Sequence, residues 1–224
     1  MKPSDVSVVI PARNEASTIA DAIRSALNAG AIEIIVADGG SSDETIDRAN
    51  EAGATRIVRS PPGRGRQLNC GLQAVTGSLV LFLHADSRLG THSLQQICDA
   101  SGVVWGAFRQ QIDSAGIVYR LLESGNALRV KIRRLPFGDQ AIFVDKHVLL
   151  EQGGIADIPL MEDVDLSQRL RRISRPLLLA GPVIVSARRW QCRGVIRQTL
   201  RNWSIQAAYG LGVRPEQLNK WYQS

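Results

Sequence analysis

A chain of 224 residues with 44% hydrophobic and 21% charged residues is globular in composition and far from the disordered range. Its net charge of +6 and sequence pI near 9.7 point to an anionic partner: nucleotide, sugar phosphate, nucleic acid or acidic lipid. Three cysteines without C-x-x-C spacing (Cys70, Cys98, Cys192) argue against a disulfide framework or structural zinc, and the longest apolar stretch, PLLLAGPVIV, is about half the ~20 residues of a membrane span.

In chain order, the N-terminal MKPSDVSVVIPARNE has an apolar run too short for a signal segment. Within it, Val6 to Ala12 reads as a buried strand. A helix follows, with Ile19, Ala22, Ile23, Ala26 and Leu27 on one face and Gly30 at its end. EIIVADG is a second buried strand; Ser41-x-x-Glu44 has the form of a capping box opening a second helix that Gly53 closes. TRIVRS is a third strand, GRQLNCGLQAVTG a third helix with Leu68, Leu72 and Val75 inward, and SLVLFLHAD a fourth strand.

The second half alternates less regularly. VVWGAFRQQI suggests a strand, Gly116 to Ile132 a helix, and AIFVDKHVLL a strand running into a helix. MEDVDLSQRLRRI reads as a helix with Leu166, Leu170 and Ile173 on one side, PLLLAGPVIV as a strand pair, and Gly194 to Leu211 as the final helix. Without repeats or linkers, residues 1–224 are expected to form a single domain with a 1–100 half and a 101–224 half.

This alternation predicts an α/β fold, a mostly parallel sheet flanked by helices, whose ligand lies beyond the carboxyl ends of the strands. Those ends are Pro11-Ala12-Arg13-Asn14-Glu15, Asp38-Gly39-Gly40-Ser41 and His84-Ala85-Asp86. Neither G-x-G-x-x-G nor a P-loop is present, so a nucleotide here would be held by side chains rather than by a glycine cradle.

VVIPARNE, VADGGSSDET, LFLHAD and MEDVDLSQRL, in that order, resemble family 2 glycosyltransferases of the GT-A (Rossmann-like) fold. PFGDQAIFV and SARRW resemble the GDQ and Arg-Arg-Trp elements of a small bacterial branch, and the resemblance runs on through RNWSIQAAYGLGVRPEQLNKWY. It implies inverting, divalent-metal-assisted transfer of a sugar from a nucleotide-diphosphate sugar to an acceptor hydroxyl, with the first half binding the donor. Asp163 is then the general base, with Glu162 beside it, and Asp86 the carboxylate for Mg²⁺ or Mn²⁺. Relatives end that strand in D-x-D; here His84 replaces the first Asp. Pro11, Ala12, Asn14, Glu15, Asp38 and Gly39 fall on the nucleoside, Asp139 and Gln140 on the acceptor or sugar side. Arg188 and Arg189 fall on the diphosphate, and Arg66 matches a family arginine near the nucleoside and phosphates better than Arg64 does.

Each residue has a plainer reading as well. Asn14 and Glu15 suit a helix start, Asp38 a turn, and Glu162, Asp163 and Asp165 the positive end of a helix dipole. Arg193, Arg197 and Arg201 fall on one helical face that suits solvent, diphosphate or anionic lipid. Two rivals remain open: a sugar-phosphate nucleotidyltransferase, against which the PARNE turn argues, and a non-catalytic module for nucleic acid or acidic lipid. With 5% aromatic residues the chain offers no stacking platform for a long glycan, which favours a small-molecule or lipid-linked acceptor. The expected setting is cytoplasmic without nucleic acid, with peripheral contact at an anionic inner membrane face left open.

Overall fold

The computed structural model describes residues 1–223, without the side chains of Arg189 and Gln223; Ser224 lies outside the described residues. The first half alternates β1 (Val6–Ala12), α1 (Ile19–Asn28), β2 (Glu33–Asp38), α2 (Thr45–Glu51), β3 (Arg56–Arg59), α3 (Arg64–Ala74) and β4 (Leu79–Phe82). The second half adds β5 (Ser87–Leu89), α4 (Ser93–Asp99), β6 (Trp105–Asp113), α5 (Ile117–Arg133), β7 (Phe143–Asp145), α6 (Lys146–Glu151), α7 (Glu162–Leu170) and β8 (Leu177–Ser186). Three helices end the chain: α8 (Arg188–Arg193), α9 (Val195–Gly210) and α10 (Pro215–Gln223).

All eight strands form one sheet in the order β3-β2-β1-β4-β7-β6-β8-β5. β7 and β5 run against the other six, so the sheet is mostly parallel, as predicted. Side chains alternate across each strand. From β1, Val6, Val8 and Ile10 enter the core layer that holds Ile19 and Ile23 of α1. Val9 enters the opposite layer with Leu68 and Leu72 of α3 and Leu166 and Leu170 of α7. Apolar burial on both faces is why β1, β2 and β4 read as continuous hydrophobic runs.

The amino-terminal edge of the sheet is fastened by Glu33. Its carboxylate accepts from Ser7 Oγ, from the Thr76 amide at 2.8 Å and from Thr76 Oγ1 at 2.9 Å. Burial pushes the carboxyl up, but the hydrogen bonds from Ser7 and Thr76 outweigh it and hold it below its usual value of 4.5. A depressed folded value stabilises above the unfolded one, and the stabilisation is lost as pH falls. Glu33→Gln is therefore expected to cost about 1 kcal/mol at pH 7, allowing for solvent screening, and progressively less below pH 4.5. Chemical denaturation of both proteins across that pH range checks it; a constant difference would refute the assignment.

Several local expectations are corrected. Helix α1 starts at Ile19 after a turn whose Thr18 and Ile19 amides bond to the Glu15 carbonyl, so Asn14 does not cap it. Helix α2 starts only at Thr45; no capping box forms, and Ser41 Oγ instead accepts from the Asn14 amide at 3.0 Å. PLLLAGPVIV is not a strand pair but part of one ten-residue strand, β8, lying between β6 and β5. Ile173 lies beyond the end of α7 and is exposed. The predicted last helix is α9, flanked by two that the sequence reading did not contain.

Candidate active site

Three loops meet at the carboxyl edge of the sheet. Ala12 and Asp38 pair as the last residues of β1 and β2, and the Gly39 amide bonds to the Ala12 carbonyl at 2.9 Å. Buried Gln67 of α3 donates to the Ala12 carbonyl at 2.8 Å and the Ala37 carbonyl at 2.9 Å, tying the two strand ends together. A Cβ at position 39 would come within 2.9 Å of the Gln67 amide carbon, so a side chain there would push this bridging amide aside. The Asp38 carboxylate accepts from the Gly40 and Ser41 amides, which is the turn-forming role. Asn14, at a left-handed φ of 56°, accepts the Ser42 amide at 2.9 Å, and the Glu15 amide donates to Thr45 Oγ1 at 2.8 Å. Pro11 to Glu15 and Asp38 to Ser42 thus form one hydrogen-bonded rim.

Beyond β4, the chain turns through His84-Ala85-Asp86 into a cavity of about 160 Å³. Its walls carry Arg64, His84, Asp86, Asp139 and Asp163, and α9 and α10 cover it with Ile205, Gln206 and Tyr222. Asp163 lies in the first turn of α7, after Met161 in a left-handed conformation (φ 71°). Its Oδ2 accepts the Gly138 amide at 2.6 Å and its Oδ1 the Val164 amide at 2.8 Å, so both oxygens are oriented by backbone. Gly138 has no room for a side chain: a Cβ would sit 2.9 Å from His84 Nε2 and 3.1 Å from Asp163 Oδ2. The glycine of the GDQ element is therefore where strand end and carboxylate close on each other.

The other two members of that element point differently. Asp139 lines the cavity, and its Oδ1 is buried with no hydrogen-bond partner. Gln140 is fully buried behind the wall, accepting from Arg129 at 2.7 Å and from the Phe137 amide at 3.2 Å. It braces the turn and does not reach the cavity, a correction to its expected place on the acceptor or sugar side.

Burial and neighbouring charge set the protonation states. Glu162 is 1% exposed; burial pushes its carboxyl above the usual range against the opposing pull of Arg64, to which it is hydrogen bonded. Burial opposes the Arg64 charge too, but Glu162 and Asp163 outweigh it and raise its pKa. Burial and then Arg64 hold His84 below 6.5 despite Asp86, Asp139 and Asp163, so the imidazole is neutral at pH 7 and has one nitrogen free to accept.

Arg64, rather than Arg66, is the arginine of the cavity; Arg66 is exposed and paired with Asp157 at 2.9 Å. Two residues on a helix are about 200° apart, so the point at which α3 starts decides between them. It starts after Gly63, whose φ of 133° suits glycine. Arg188 is exposed at the start of α8, between Ser186 and Trp190 of the cavity wall; the side chain of Arg189 lies outside the described residues. Trp190, the last residue of SARRW, lines the cavity, and its buried Nε1 has no partner. Of the basic stripe, Arg193 and Arg197 are exposed, whereas Arg201 donates to the Trp221 and Tyr222 carbonyls and so clamps α10 to α9.

Among the described residues, no group of three or more His, Cys, Asp or Glu forms a metal cage. A Mg²⁺ or Mn²⁺ shared with a diphosphate needs only one or two carboxylates, the remaining oxygens coming from phosphate and water. Asp86, bonded on one oxygen to Ser87 at 3.4 Å, and Asp139, whose buried Oδ1 has no hydrogen-bond partner, both line the cavity and fit that requirement.

Residues 7–113, from β1 to the end of β6, match the Glycosyl transferase family 2 model. Glucosyl-3-phosphoglycerate synthase of Mycolicibacterium smegmatis is 39% identical over 92 residues, 36% of this chain and 30% of that protein. Glycosyltransferase AglJ of Haloferax volcanii is 36% identical over 85 residues, 38% of this chain and 28% of that protein. The chain thus matches less than a third of the length of either relative. A solved structure of glucosyl-3-phosphoglycerate synthase from Mycobacterium tuberculosis, in complex with Mn²⁺, UDP and glucosyl-3-phosphoglycerate, superposes with a TM-score of 0.56 at 23% identity, covering 80% of this chain and 70% of that one. S. aureus TarS 1-349 superposes with a TM-score of 0.63 at 15% identity, covering 81% and 60%. Residues 7–113 are thus similar to glycosyl transferase family 2, and the chain shares the GT-A fold of these solved structures.

Proposed function

We propose that the chain transfers a sugar from a nucleoside-diphosphate sugar to an acceptor hydroxyl with inversion at the anomeric carbon. The observation that carries this is the meeting of Asp86 and Asp163, from opposite halves of the chain, on the walls of one cavity at the carboxyl edge of the sheet. On this reading the 1–100 and 101–224 halves of a single domain supply the donor and acceptor sides.

Asp163 is the general base. A sugar hydroxyl is a poor nucleophile until its proton is removed in the transition state, and a positioned base contributes about 10²–10⁴-fold. The Gly138 and Val164 amides fix the carboxylate and leave lone pairs on both oxygens for the acceptor proton. Attack from the base side expels the nucleoside diphosphate in a single displacement, without a covalent sugar–enzyme intermediate.

Asp86, helped by Asp139, would hold Mg²⁺ or Mn²⁺. Such a cation, when bound, stabilises negative charge on the departing diphosphate. Arg64, beside Asp163, and Arg188, at the rim, are assigned to the diphosphate, where a guanidinium fork suits phosphate oxygens. The Pro11–Glu15 and Asp38–Ser42 rim is assigned to the nucleoside. The UDP and Mn²⁺ named in the mycobacterial complex make UDP-sugars with Mn²⁺ the first donors to offer.

The test is NMR of a reaction with UDP-sugars, Mn²⁺ and a panel of acceptor alcohols. We expect UDP release and a glycoside of inverted anomeric configuration. Retained configuration would contradict the single displacement.

A further inference from the structure

Next to the catalytic cavity runs a second, larger one that holds none of the residues assigned to the donor or the base. It is a groove of about 900 Å³ between α5 and α9, within the 300–1,000 Å³ range of ligand sites. Leu121, Leu122, Leu128 and Ile132 of α5 form one side, Trp203 and Ala207 of α9 the other. A soluble helix ordinarily turns its apolar face to the core. Here Leu121, Leu128, Ile132 and Trp203 are each more than half exposed.

The groove adjoins the catalytic cavity. Phe137, Val164 and Gln206 line both, and Val164 directly follows Asp163. Helix α9 is the partition, with Ile205 turned to the cavity and Trp203 and Ala207 to the groove. Charge is arranged to match. Helix α5 carries Arg120, Arg129, Lys131 and Arg133 against the single acid Glu123. Arg129 and Arg133 line the groove itself, and the Arg129 guanidinium lies 3.5 Å over the Phe137 ring, at the junction with the cavity. Apolar length leading to a cationic junction and then to a base describes the negative image of one kind of molecule.

We propose that the groove holds the apolar chain of an anionic, single-chain amphiphile that serves as acceptor, its head passing Arg129 so that the nucleophilic hydroxyl reaches Asp163. This rests on the transferase reading and names the acceptor class for it. Helix α5 has 17 residues and is about 25 Å long, so a chain of a dozen or more carbons has room to lie along it.

Binding is tested without turnover. 11-Bromoundecyl phosphate, kept below its micelle concentration, carries a heavy-atom quencher on an anionic chain, and Trp203 is in the groove wall. We expect saturable quenching of tryptophan fluorescence that is lost in Trp203→Phe. Shortening the chain should weaken binding about fourfold per methylene. Ala207→Trp, which fills the groove from an exposed position, should weaken it at least tenfold while UDP binding with Mn²⁺ stays unchanged. Quenching that is absent, or indifferent to Ala207→Trp and chain length, would overturn the groove assignment and leave the transferase reading standing. Anionic vesicles that bind the Ala207→Trp protein as well as the wild type, with no monomeric probe uptake, would overturn it in favour of a membrane-facing surface. Groove binding as expected, without UDP binding or transfer, would instead tell against the transferase reading and leave no acceptor role for the groove.

Discussion

Replacing Asp163 by Asn is expected to lower the rate of sugar transfer by about 10²–10⁴-fold while leaving UDP affinity within a few-fold of wild type. The substitution keeps the shape and an oxygen that can still accept the Gly138 amide at the 2.6 Å position, so the turn holding Asp139 stays in place. What disappears is proton acceptance. Because the base acts in the transition state, the loss falls on kcat, with no matching loss in the binding step. Steady-state kinetics with calorimetric titration of UDP separates the two. A rate within fivefold of wild type would remove Asp163 from the mechanism, and Glu162 could not replace it, since that carboxylate is buried against Arg64.

The second large effect is structural. Arg64→Met leaves Glu162 buried without its cation, and an uncompensated buried charge costs about 3–5 kcal/mol. The Arg64 side chain is 36% exposed, which places the expected cost at the low end, about 3 kcal/mol, or a fall in Tm of about 6–12 °C. The pH dependence has a definite sign. Burial already raises Glu162, and losing Arg64 raises it further. A carboxyl raised in the folded state stabilises at low pH and loses that contribution as pH rises. The deficit of Arg64→Met should therefore shrink toward pH 4.5 and widen toward pH 7. The double variant with Glu162→Gln should recover part of it. A pH-independent deficit would mean that Glu162 is not charged in the wild type.

The sheet was legible because β1, β2 and β4 are buried on both faces and read as uninterrupted apolar runs between helical periods. PLLLAGPVIV misled because Gly181-Pro182 has the form of a turn, yet the strand passes through it with only a register shift against β6. The exposed Leu27 and Ile173 fit a helical period but fall where the helix no longer meets the sheet. In the site, Asp86 and Asp163 could be found because carboxylates at strand ends and helix starts stand out in order, whereas Asp139 came with the resemblance of PFGDQ and was expected on the acceptor or sugar side. Arg64 could not be chosen over Arg66 without knowing where α3 begins. Gln140 carries no mark that distinguishes bracing a turn from touching a ligand; its partners Arg129 and Phe108 are far from it in sequence. The α9–α10 cover is equally hidden, since it depends on Leu160, Ile205 and Leu218 forming a small core of their own.

The central claim is that Asp86 marks a divalent-cation and nucleotide site. Thermal unfolding of the wild type and of Asp86→Ala with UDP, GDP, CDP or dTDP, each with Mn²⁺ and with EDTA, tests it most directly. A ligand at one hundred times its Kd adds about 2.7 kcal/mol, a rise of about 5–10 °C for a chain of this size. The prediction is such a rise for one nucleotide, with UDP first, present with Mn²⁺, lost in EDTA and lost in Asp86→Ala. No rise with any nucleotide, or a rise that EDTA and Asp86→Ala leave intact, would contradict it.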